Sequence, residues 1–259
     1  MKIVVCIKQV PDTAASMTVV DGKISWGDAP LIINPWDEFA VEAALNLSDQ
    51  HGGEITALSM GKEDETEAVK HALAMGVNQA VLISDPALKG ADNVAAAAAL
   101  AAGIRKLGDV DLVLFGQQSV DTDTGLLPVQ VARKLGWPSL TLVSSFDEVI
   151  PAEGKIQVQR SMEEGTQIVE SRLPAVLSIT KDYGEPRYPS FMGIRKASKA
   201  EIPVWTLAEL DAEIPESAVS WPSIFSPPER EIITEIIEGD SPSEKAANLV
   251  EKLKEEKVL

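Results

Sequence analysis

A polar loop rich in glycine, serine and threonine is the part of the sequence best suited to chemistry. It runs from Gly116 to Gly125 as GQQSVDTDTG, and an apolar run of strand length, Leu112 to Phe115, precedes it. A helical pattern follows, from about Leu126 to Leu135. The order strand, loop and helix places backbone N–H groups and a helix N-terminus at the carboxyl end of a strand. Open α/β sheets bind phosphorylated ligands at that position.

The loop matches neither the dinucleotide-binding pattern GxGxxG nor the Walker A pattern, so by motif alone it is a weak indication of phosphate binding. An ordinary turn between a strand and a helix is the alternative interpretation. Other chemistry has less support, because the sequence shows no nucleophile–base pair and no carboxylate dyad. One cysteine, Cys6, together with His51 and His71 in separate helical patterns, does not form a metal-binding set.

Composition and charge narrow the class of protein. With 259 residues, 45% of them hydrophobic, the chain can form a full core. Its apolar runs stay well short of the ~20 residues of a membrane helix, and the first residues predict a strand and not a signal peptide. A single cysteine rules out an internal disulfide and predicts a cytoplasmic protein. The net charge of −17 argues against nucleic acid as a partner.

The first two-thirds of the chain alternates strand and helix patterns. This alternation predicts a doubly wound, mostly parallel, Rossmann-like α/β sheet. The predicted strands are residues 2–7, 55–60, 80–83 and 112–115, and the predicted helices begin near Asn34, Glu63, Asn93 and Leu126. Asn34 is predicted to be the N-cap of its helix, with Pro35 at the first helical position. The intervening segment, residues 8–33, has no clear pattern, which is typical of a functional or covered loop.

The rest of the chain has a different pattern. Strand-like runs predict a small antiparallel hairpin over residues 153–172, and a loop with basic residues follows at 185–199. We therefore predict an α/β domain over residues 1–202. Residues 203–259 are predicted to be an extended arm ending in a helix capped by Ser241, and the arm is expected to lie against a partner subunit. A flexible linker to that helix is the alternative.

Five motifs, in collinear order, resemble the β subunit of electron transfer flavoproteins, the FixA family. They are MKIVVCIKQVPDT at residues 1–13, NPWDE at 34–38, ALAMG at 72–76, GQQSVDTDT at 116–124 and EPRYPSFMGIRKASK at 185–199. The last of them is the most specific. The resemblance covers nearly the whole chain.

The resemblance implies a heterodimer in which the α subunit carries a redox-active FAD. The β subunit of this family holds AMP or, in electron-bifurcating members, a second FAD. The residues that the resemblance assigns to the nucleotide site are Cys6, Asn34, Pro35, Trp36, Asp37, Met60, Gly61, Gly116, Gln117, Gln118, Ser119, Val120, Asp121, Thr122, Asp123, Thr124, Gly125, Leu126 and Leu127.

The resemblance also implies a docking loop for acyl-CoA dehydrogenases and related partners, with Phe191 as its apolar anchor. The docking residues that it assigns are Pro189, Phe191, Met192, Ile194, Arg195, Lys196 and Lys199. One bulky apolar side chain flanked by cations is a reasonable arrangement for an anchor that enters a partner's pocket. The alternative is that Phe191 and Met192 pack on the protein's own surface.

One departure from the family pattern concerns the phosphate-binding loop. Leu126, Leu127 and Pro128 stand where members usually have a polar residue, valine and glycine. Proline has no N–H to donate and leucine has no polar side chain, so the number of bound phosphates is open, and with it the choice between AMP and FAD. Asp121 and Asp123 would repel a phosphate unless they turn away or bond to ribose hydroxyls or backbone. Local Asx turns are an equally good interpretation of both.

The expected function is therefore electron transfer without independent bond chemistry. Electrons would come from an acyl-CoA-type dehydrogenase, or from NADH in a bifurcating complex. They would pass through FAD to a second oxidoreductase, such as a quinone oxidoreductase, and residues 9–13 would approach the flavin of the α subunit. The alternative is a stand-alone adenine-nucleotide-binding regulator of the universal-stress type. An ATP-pyrophosphatase-like enzyme fits less well, because residues 9–12 (QVPD) do not form its phosphate loop.

Overall fold

The computed structural model describes residues 1–228 and 234–259, in two compact units, Met1–Ile224 and Phe225–Leu259. The strands of the first unit, in chain order, are β1 (Lys2–Cys6), β2 (Gln9–Pro11), β3 (Thr18–Val20), β4 (Lys23–Ser25), β5 (Leu31–Ile33), β6 (Glu54–Met60), β7 (Gln79–Ile83), β8 (Leu112–Gly116), β9 (Ser139–Ile150), β10 (Lys155–Met162), β11 (Gly165–Arg172), β12 (Ala175–Ile179) and β13 (Val204–Trp205). The helices are α1 (Pro35–His51), α2 (Glu67–Met75), α3 (Asn93–Leu107), α4 (Leu127–Leu135) and α5 (Phe191–Ala197), with α6 (Pro242–Glu255) in the second unit. None of the helices in the described residues is both long and apolar enough to cross a bilayer.

Nine of the described strands form one sheet in the order β11-β10-β9-β12-β8-β1-β6-β7-β13. From β1 the chain moves to β6 and β7 on one side, and it then returns to β8 and β12 on the other side. Strand β1 pairs in parallel with both β6 and β8, so Cys6 lies opposite Leu58 and Phe115. The reversal of strand order between β1 and β8 opens a crevice at their carboxyl ends, the usual ligand position in such sheets.

The central strands are apolar along their whole length because helices cover both of their faces. Ile3, Val4 and Val5 are fully buried, and alternate residues of β1 join different core clusters. Helices α1 and α2 cover one face, whereas α3 and α4 cover the other. Alanine-rich α3 packs closely against the sheet; a Cβ on Gly103 would lie 2.9 Å from Ile83. The predicted doubly wound α/β fold is confirmed.

Two predicted segments have different boundaries or structure. Residues 8–33 contain short antiparallel pairs, β2 with β5 and β3 with β4, instead of one irregular loop. The turn at Asp21 and Gly22, both with positive φ, joins β3 to β4. Helix α2 begins at Glu67 and not near Glu63, because a turn held by the hydrogen bond from Glu65 N to Lys62 O precedes it.

The hairpin predicted for residues 153–172 is present as β10 and β11, which pair antiparallel. Strand β9 starts parallel to β12 and continues antiparallel to β10, so the hairpin extends the main sheet. Its outer strand β11 is largely exposed, and Ile168 is 65% exposed.

The beginning of the predicted arm packs on the protein's own sheet. Strand β13 pairs with the edge strand β7, and Leu207 and Leu210 behind it are buried. The ammonium group of Lys106 lies 4.9 Å from the ring centre of Trp205. Trp205 and Leu207 therefore pack within the first unit, because β13 pairs with the exposed edge of β7. That the arm also lies against a partner subunit stays a prediction. Trp221, in contrast, is 77% exposed.

Helix α6 of the second unit begins as the sequence predicts. The Ser241 hydroxyl accepts a hydrogen bond from Glu244 N at 3.2 Å, and the Glu244 carboxylate accepts one from Asp240 N at 2.9 Å. Leu249 and Val250 on its apolar stripe are 45% and 42% exposed.

Candidate functional site

A cavity of about 230 Å³ lies at the carboxyl ends of β1, β6 and β8. The structure brings to its wall many of the residues assigned to a nucleotide site, namely Cys6, Asn34, Asp37, Met60, Gly116, Gln118, Ser119, Thr122, Thr124, Gly125 and Leu127. The cavity therefore lies where the strand order reverses, and the polar loop between β8 and α4 forms one side of it.

Other residues assigned to the site lie outside the cavity lining, namely Pro35, Trp36, Gly61, Gln117, Val120, Asp121, Asp123 and Leu126. Trp36 instead packs against Phe39, with their ring centres 6.3 Å apart. The lining residues that sequence reasoning missed are Ile7, Lys8, Ala91, Asn93, Ala96, Leu100, Phe115 and Pro128. Ile7, Lys8 and Phe115 continue or end predicted strands, which is a signal that could have identified them.

Asn34 holds the polar loop against the start of α1. Its amide nitrogen donates to Gln118 O at 2.8 Å, and its amide oxygen accepts from Val120 N at 3.2 Å. Asn34 occupies the N-cap position of α1, but its side chain makes no capping hydrogen bond. The prediction of Asn34 as the N-cap residue is thus confirmed, but its side chain bonds to partly buried backbone groups of the loop and not to the helix.

Asp37 joins three elements beneath the cavity. Its carboxylate accepts hydrogen bonds from Lys8 N at 2.7 Å and from Gly116 N at 3.2 Å, which fixes α1 to the ends of β1 and β8. Burial raises the pKa of Asp37 from 3.8 to about 7, although these hydrogen bonds and the Lys8 charge favour the ionised form. Burial, with a smaller contribution from the charge of Asp37, also raises the pKa of the neighbouring Cys6 thiol.

The raised pKa of Asp37 predicts a pH-dependent stability. The folded protein holds this proton between about pH 4 and 7 while the unfolded chain has released it, so stability from this group falls as the pH rises through that window. The loss is at most ~4 kcal/mol. Chemical unfolding of the wild type and of Asp37→Asn from pH 4 to 8 measures it. The stability difference between the two should change below pH 7 and be constant above it, and a difference constant across the whole range would contradict the assignment.

Gly116 is the point of closest approach between β8 and α1. A Cβ at this position would lie 2.5 Å from an oxygen of Asp37 and 2.6 Å from the carbonyl carbon and oxygen of Trp36. Glycine is therefore required here for packing, and it leaves the backbone N–H of Gly116 free to reach Asp37.

Hydrogen bonds and an ion pair occupy the two acidic residues of the loop. Both oxygens of Asp121 lie within 2.8 Å of the Lys8 ammonium group. Asp123 has a φ of 55° and accepts a hydrogen bond from the Gln118 side chain. Neither carboxylate lines the cavity. The electrostatic objection to a phosphate beside this loop is thereby reduced, because Lys8 offsets one charge and Asp123 turns toward Gln118.

The start of α4 faces the cavity without a side-chain cap. Leu126 is its N-cap residue and makes no side-chain hydrogen bond, while Leu127 and Pro128 of the first turn line the cavity. A helix begins with N–H groups that have no intrahelical partner, and these attract anions. Thr124 is held by a hydrogen bond of 3.1 Å from Asn93 at the start of α3, so two helices border the loop.

The basic segment forms a short helix, α5, where the sequence predicted an irregular loop. Ser190 caps this helix by accepting from Gly193 N at 2.9 Å. A Cβ on Gly193 would lie 2.2 Å from Ala74 O, so α5 packs directly on α2. Phe191 is 80% and Met192 is 67% exposed. The alternative in which these two side chains pack on the protein's own surface is not observed.

Arg187 anchors this segment to α1 and does not contribute to the exposed cations. Its guanidinium donates to both carboxylate oxygens of Glu42, at 2.9 and 3.1 Å, and to Asn46 at 2.9 Å. This two-point pairing with a buried carboxylate fixes the segment before α5 against α1. Arg195, Lys196 and Lys199 remain exposed on and after α5.

Residues 9–13, expected to approach a flavin, begin with a structural contact. The Gln9 side-chain oxygen accepts a hydrogen bond from Ala68 N in the first turn of α2 at 2.9 Å. Gln9 thus supplies an acceptor that Thr66, the N-cap residue of α2, does not provide. The expectation about the flavin stays a prediction.

Comparison with known proteins agrees with this architecture. The family model "Electron transfer flavoprotein domain" matches residues 24–210. The chain is 38% identical over 267 residues to the caffeyl-CoA reductase–Etf complex subunit CarD of Acetobacterium woodii, covering 100% of both chains. It is 36% identical over 275 residues to the electron transfer flavoprotein subunit beta of Megasphaera elsdenii, again over 100% of both chains. A third relative, the electron transfer flavoprotein subunit beta of Clostridium acetobutylicum, is 39% identical over 215 residues, with 82% of this chain and 81% of the relative covered.

These matches favour an electron transfer role over a stand-alone nucleotide-binding regulator, because they extend through the cavity and through α5. The nucleotide and docking assignments of individual residues stay predictions. The chain belongs to the family of electron transfer flavoprotein β subunits.

Proposed function

We propose that this chain pairs with an electron transfer flavoprotein α subunit and delivers electrons from a docked dehydrogenase to a second oxidoreductase. The observation that carries the proposal is helix α5, which presents the exposed Phe191 among three cations. A bulky aromatic side chain that is 80% exposed and flanked by cations is suited to act as an anchor in a partner's pocket. An acyl-CoA dehydrogenase is the proposed donor, and a quinone oxidoreductase or a similar protein is the proposed acceptor, both in the cytoplasm.

The cavity is proposed to hold the adenylate part of a nucleotide. Its wall combines apolar atoms of Cys6, Met60 and Leu100 with polar groups of Asn34, a mixture that suits an adenine ring and its ribose. The phosphate would lie toward the N-terminus of α4 and the hydroxyls of Ser119 and Thr122, away from the Asp37 carboxylate. The protein positions the nucleotide and excludes water from it, and the flavin of the heterodimer supplies the electron transfer.

Both units contain exposed apolar residues that the α subunit is proposed to cover. Trp221 in the first unit is 77% exposed, and Phe225 in the second unit is 76% exposed. The stripe of α6 is exposed as well, at Leu249 and Val250. Bulky apolar side chains of this kind would be removed from water if the arm lies against a partner. Residues 203–259 remain the proposed arm, with 203–212 anchored on the sheet edge.

Extraction of nucleotide from the purified heterodimer tests the proposed site. We expect one adenine nucleotide in the β subunit in addition to the FAD of the α subunit. One FAD with one AMP indicates simple transfer from a dehydrogenase. Two FAD indicate the bifurcating variant, in which NADH donates an electron pair. The protein is denatured and removed, and chromatography of the released nucleotides, read by absorbance at 260 and 450 nm, distinguishes these cases. One FAD without AMP would contradict the assignment of the cavity.

A further inference from the structure

A second concave surface lies beside α5. This groove, of about 640 Å³, is lined by β5, the start of α1, α2 and α5. Leu31, Pro35, Tyr188 and Ile194 contribute to its wall. Leu31 is 40% and Ile194 is 53% exposed, so much of the apolar wall faces solvent. A concave wall with exposed apolar side chains can receive an anchoring side chain from another protein.

The charged groups in the groove lie next to each other in pairs. Nε2 of His71 lies 2.8 Å from a carboxylate oxygen of Glu38, although the contact lacks the alignment of a hydrogen bond. The Lys70 ammonium lies 3.2 Å from the Glu67 carboxylate. Because each acid in the lining has a basic neighbour, the groove does not favour a small anion or cation. An apolar side chain suits it better.

The surroundings of the groove indicate the charge of its occupant. Arg195, Lys196 and Lys199 lie exposed on and just after the helix that forms one wall. The chain as a whole carries a net charge of −17, so this local cluster of cations is opposite in sign to the rest of the surface. This cluster would attract an acidic surface segment of a partner protein.

We propose that the groove receives an apolar side chain from an acidic surface segment of the electron-donating dehydrogenase. This inference rests on the proposed docking of Phe191 and extends it. Phe191 and Met192 project from α5 toward the partner, and the partner returns a side chain to the groove between α5 and β5. The position of α5 against α2, set by Gly193 and Ala74, holds the two halves of this contact in a fixed relation. The two contacts together would fix the orientation of the docked dehydrogenase as well as its position.

Substitutions at Leu31 test the groove without touching α5. The FAD-loaded heterodimer is reduced by a purified acyl-CoA dehydrogenase that reduces the wild type, and the KM for the heterodimer is measured. Leu31→Glu should raise KM about tenfold or more, because it adds a charge to an apolar site and repels an acidic partner. Leu31→Lys should raise it less. Ile168→Glu, on the distant hairpin and 65% exposed, is the matched control and should have no effect.

An unchanged KM in Leu31→Glu, or equal losses in Leu31→Glu and Leu31→Lys, would overturn the proposal. Phe191→Ala separates this failure from that of the proposed function. If Phe191→Ala raises KM and Leu31→Glu does not, the proposed docking at α5 is supported and the proposed role of the groove is wrong. If neither variant raises KM, both proposals are wrong.

A photoreactive benzoylphenylalanine in place of Leu31 covers the case in which the charged variants fold poorly. Illumination of the heterodimer with the dehydrogenase should give a covalent product containing the dehydrogenase. A product with the α subunit or with a second β chain, or no product at all, would overturn the proposal.

Discussion

Replacing Phe191 by alanine is expected to lower kcat/KM for electron transfer from the dehydrogenase by about 30-fold or more, while the FAD content of the heterodimer stays at the wild-type value. Phe191 is 80% exposed at the centre of a cationic helix. Its removal should therefore take away the anchor for the dehydrogenase and change the free energy of unfolding little. Anaerobic flavin bleaching at 450 nm, with heterodimer concentration varied, measures kcat and KM separately. The loss should lie mainly in KM, because the substitution weakens docking and leaves the flavin site unchanged.

A matched control for this variant is Ile168→Ala, another exposed apolar residue, which lies on the hairpin strand β11. It should leave kcat/KM unchanged, and Met192→Ala should give an intermediate loss. Raising the salt concentration should weaken docking further, since Arg195, Lys196 and Lys199 act through attractions that ions screen. A wild-type rate in Phe191→Ala, or a loss equal to that of the hairpin control, would remove the docking role from α5.

The central sheet could be predicted from the sequence because its strands are unbroken apolar runs. Adjacent residues such as Ile3 and Val4, or Leu112 and Val113, are buried on opposite faces of the sheet, and this burial produces the local signal that sequence reasoning uses. The position of the polar loop followed from the same logic, since it directly continues β8. The parallel strands meet at one edge, so the loop and the end of β1 had to come together.

Contacts that depend on tertiary packing could not be predicted in this way. Lys8 pairs with Asp121, and Asn93 reaches Thr124, across 113 and 31 residues of sequence. No local pattern carries that information. Asn34 is a second example. Its residue type and position predict a side-chain cap of α1, but in the structure its side chain bonds to the backbone of Gln118 and Val120 instead.

Helix α5 was missed for a different reason. Pro186 and Pro189 argue against a helix, and their effect ends at Ser190, which caps the seven residues that follow. Seven residues are too few for a periodic apolar pattern, and most of the apolar side chains are exposed. The capping serine and the basic last turn were the available signals.

The apolar start of α4 limits the hydrogen-bond donors that face the cavity. Pro128 lines the cavity where the family usually has a glycine, so it contributes apolar wall without the backbone N–H that a glycine would offer. Donors for a phosphate must then come from the backbone before Pro128 and from Ser119 and Thr122. Nucleotide extraction from the heterodimer therefore decides how many FAD molecules it holds.

Replacing Gly116 by alanine is expected to weaken AMP binding by the nucleotide-depleted heterodimer at least tenfold, a change of about 1.4 kcal/mol. The new methyl group would lie 2.5 Å from Asp37 and 2.6 Å from the Trp36 backbone, so β8 and α1 must separate. Separation breaks the hydrogen bond from Gly116 N to Asp37 and displaces the loop that follows. Overpacking at such a site also lowers the free energy of unfolding by about 1–3 kcal/mol. Calorimetric titration with AMP and chemical unfolding measure the two effects.

Gly61→Ala is the control, because Gly61 ends the neighbouring strand β6 at the same edge of the sheet. A Cβ there would meet a carboxylate oxygen of Glu65 at 3.3 Å, and the end of this half-buried side chain can shift by the small distance needed. The free energy of unfolding of Gly61→Ala should therefore stay near the wild-type value, so this variant is a control for stability alone. If Gly116→Ala were destabilised but bound AMP with wild-type affinity, the cavity beside Gly116 would not be the nucleotide site. The loss of affinity and the loss of stability are expected together in Gly116→Ala because one contact, between the end of β8 and the first turn of α1, both closes the core and shapes the cavity wall.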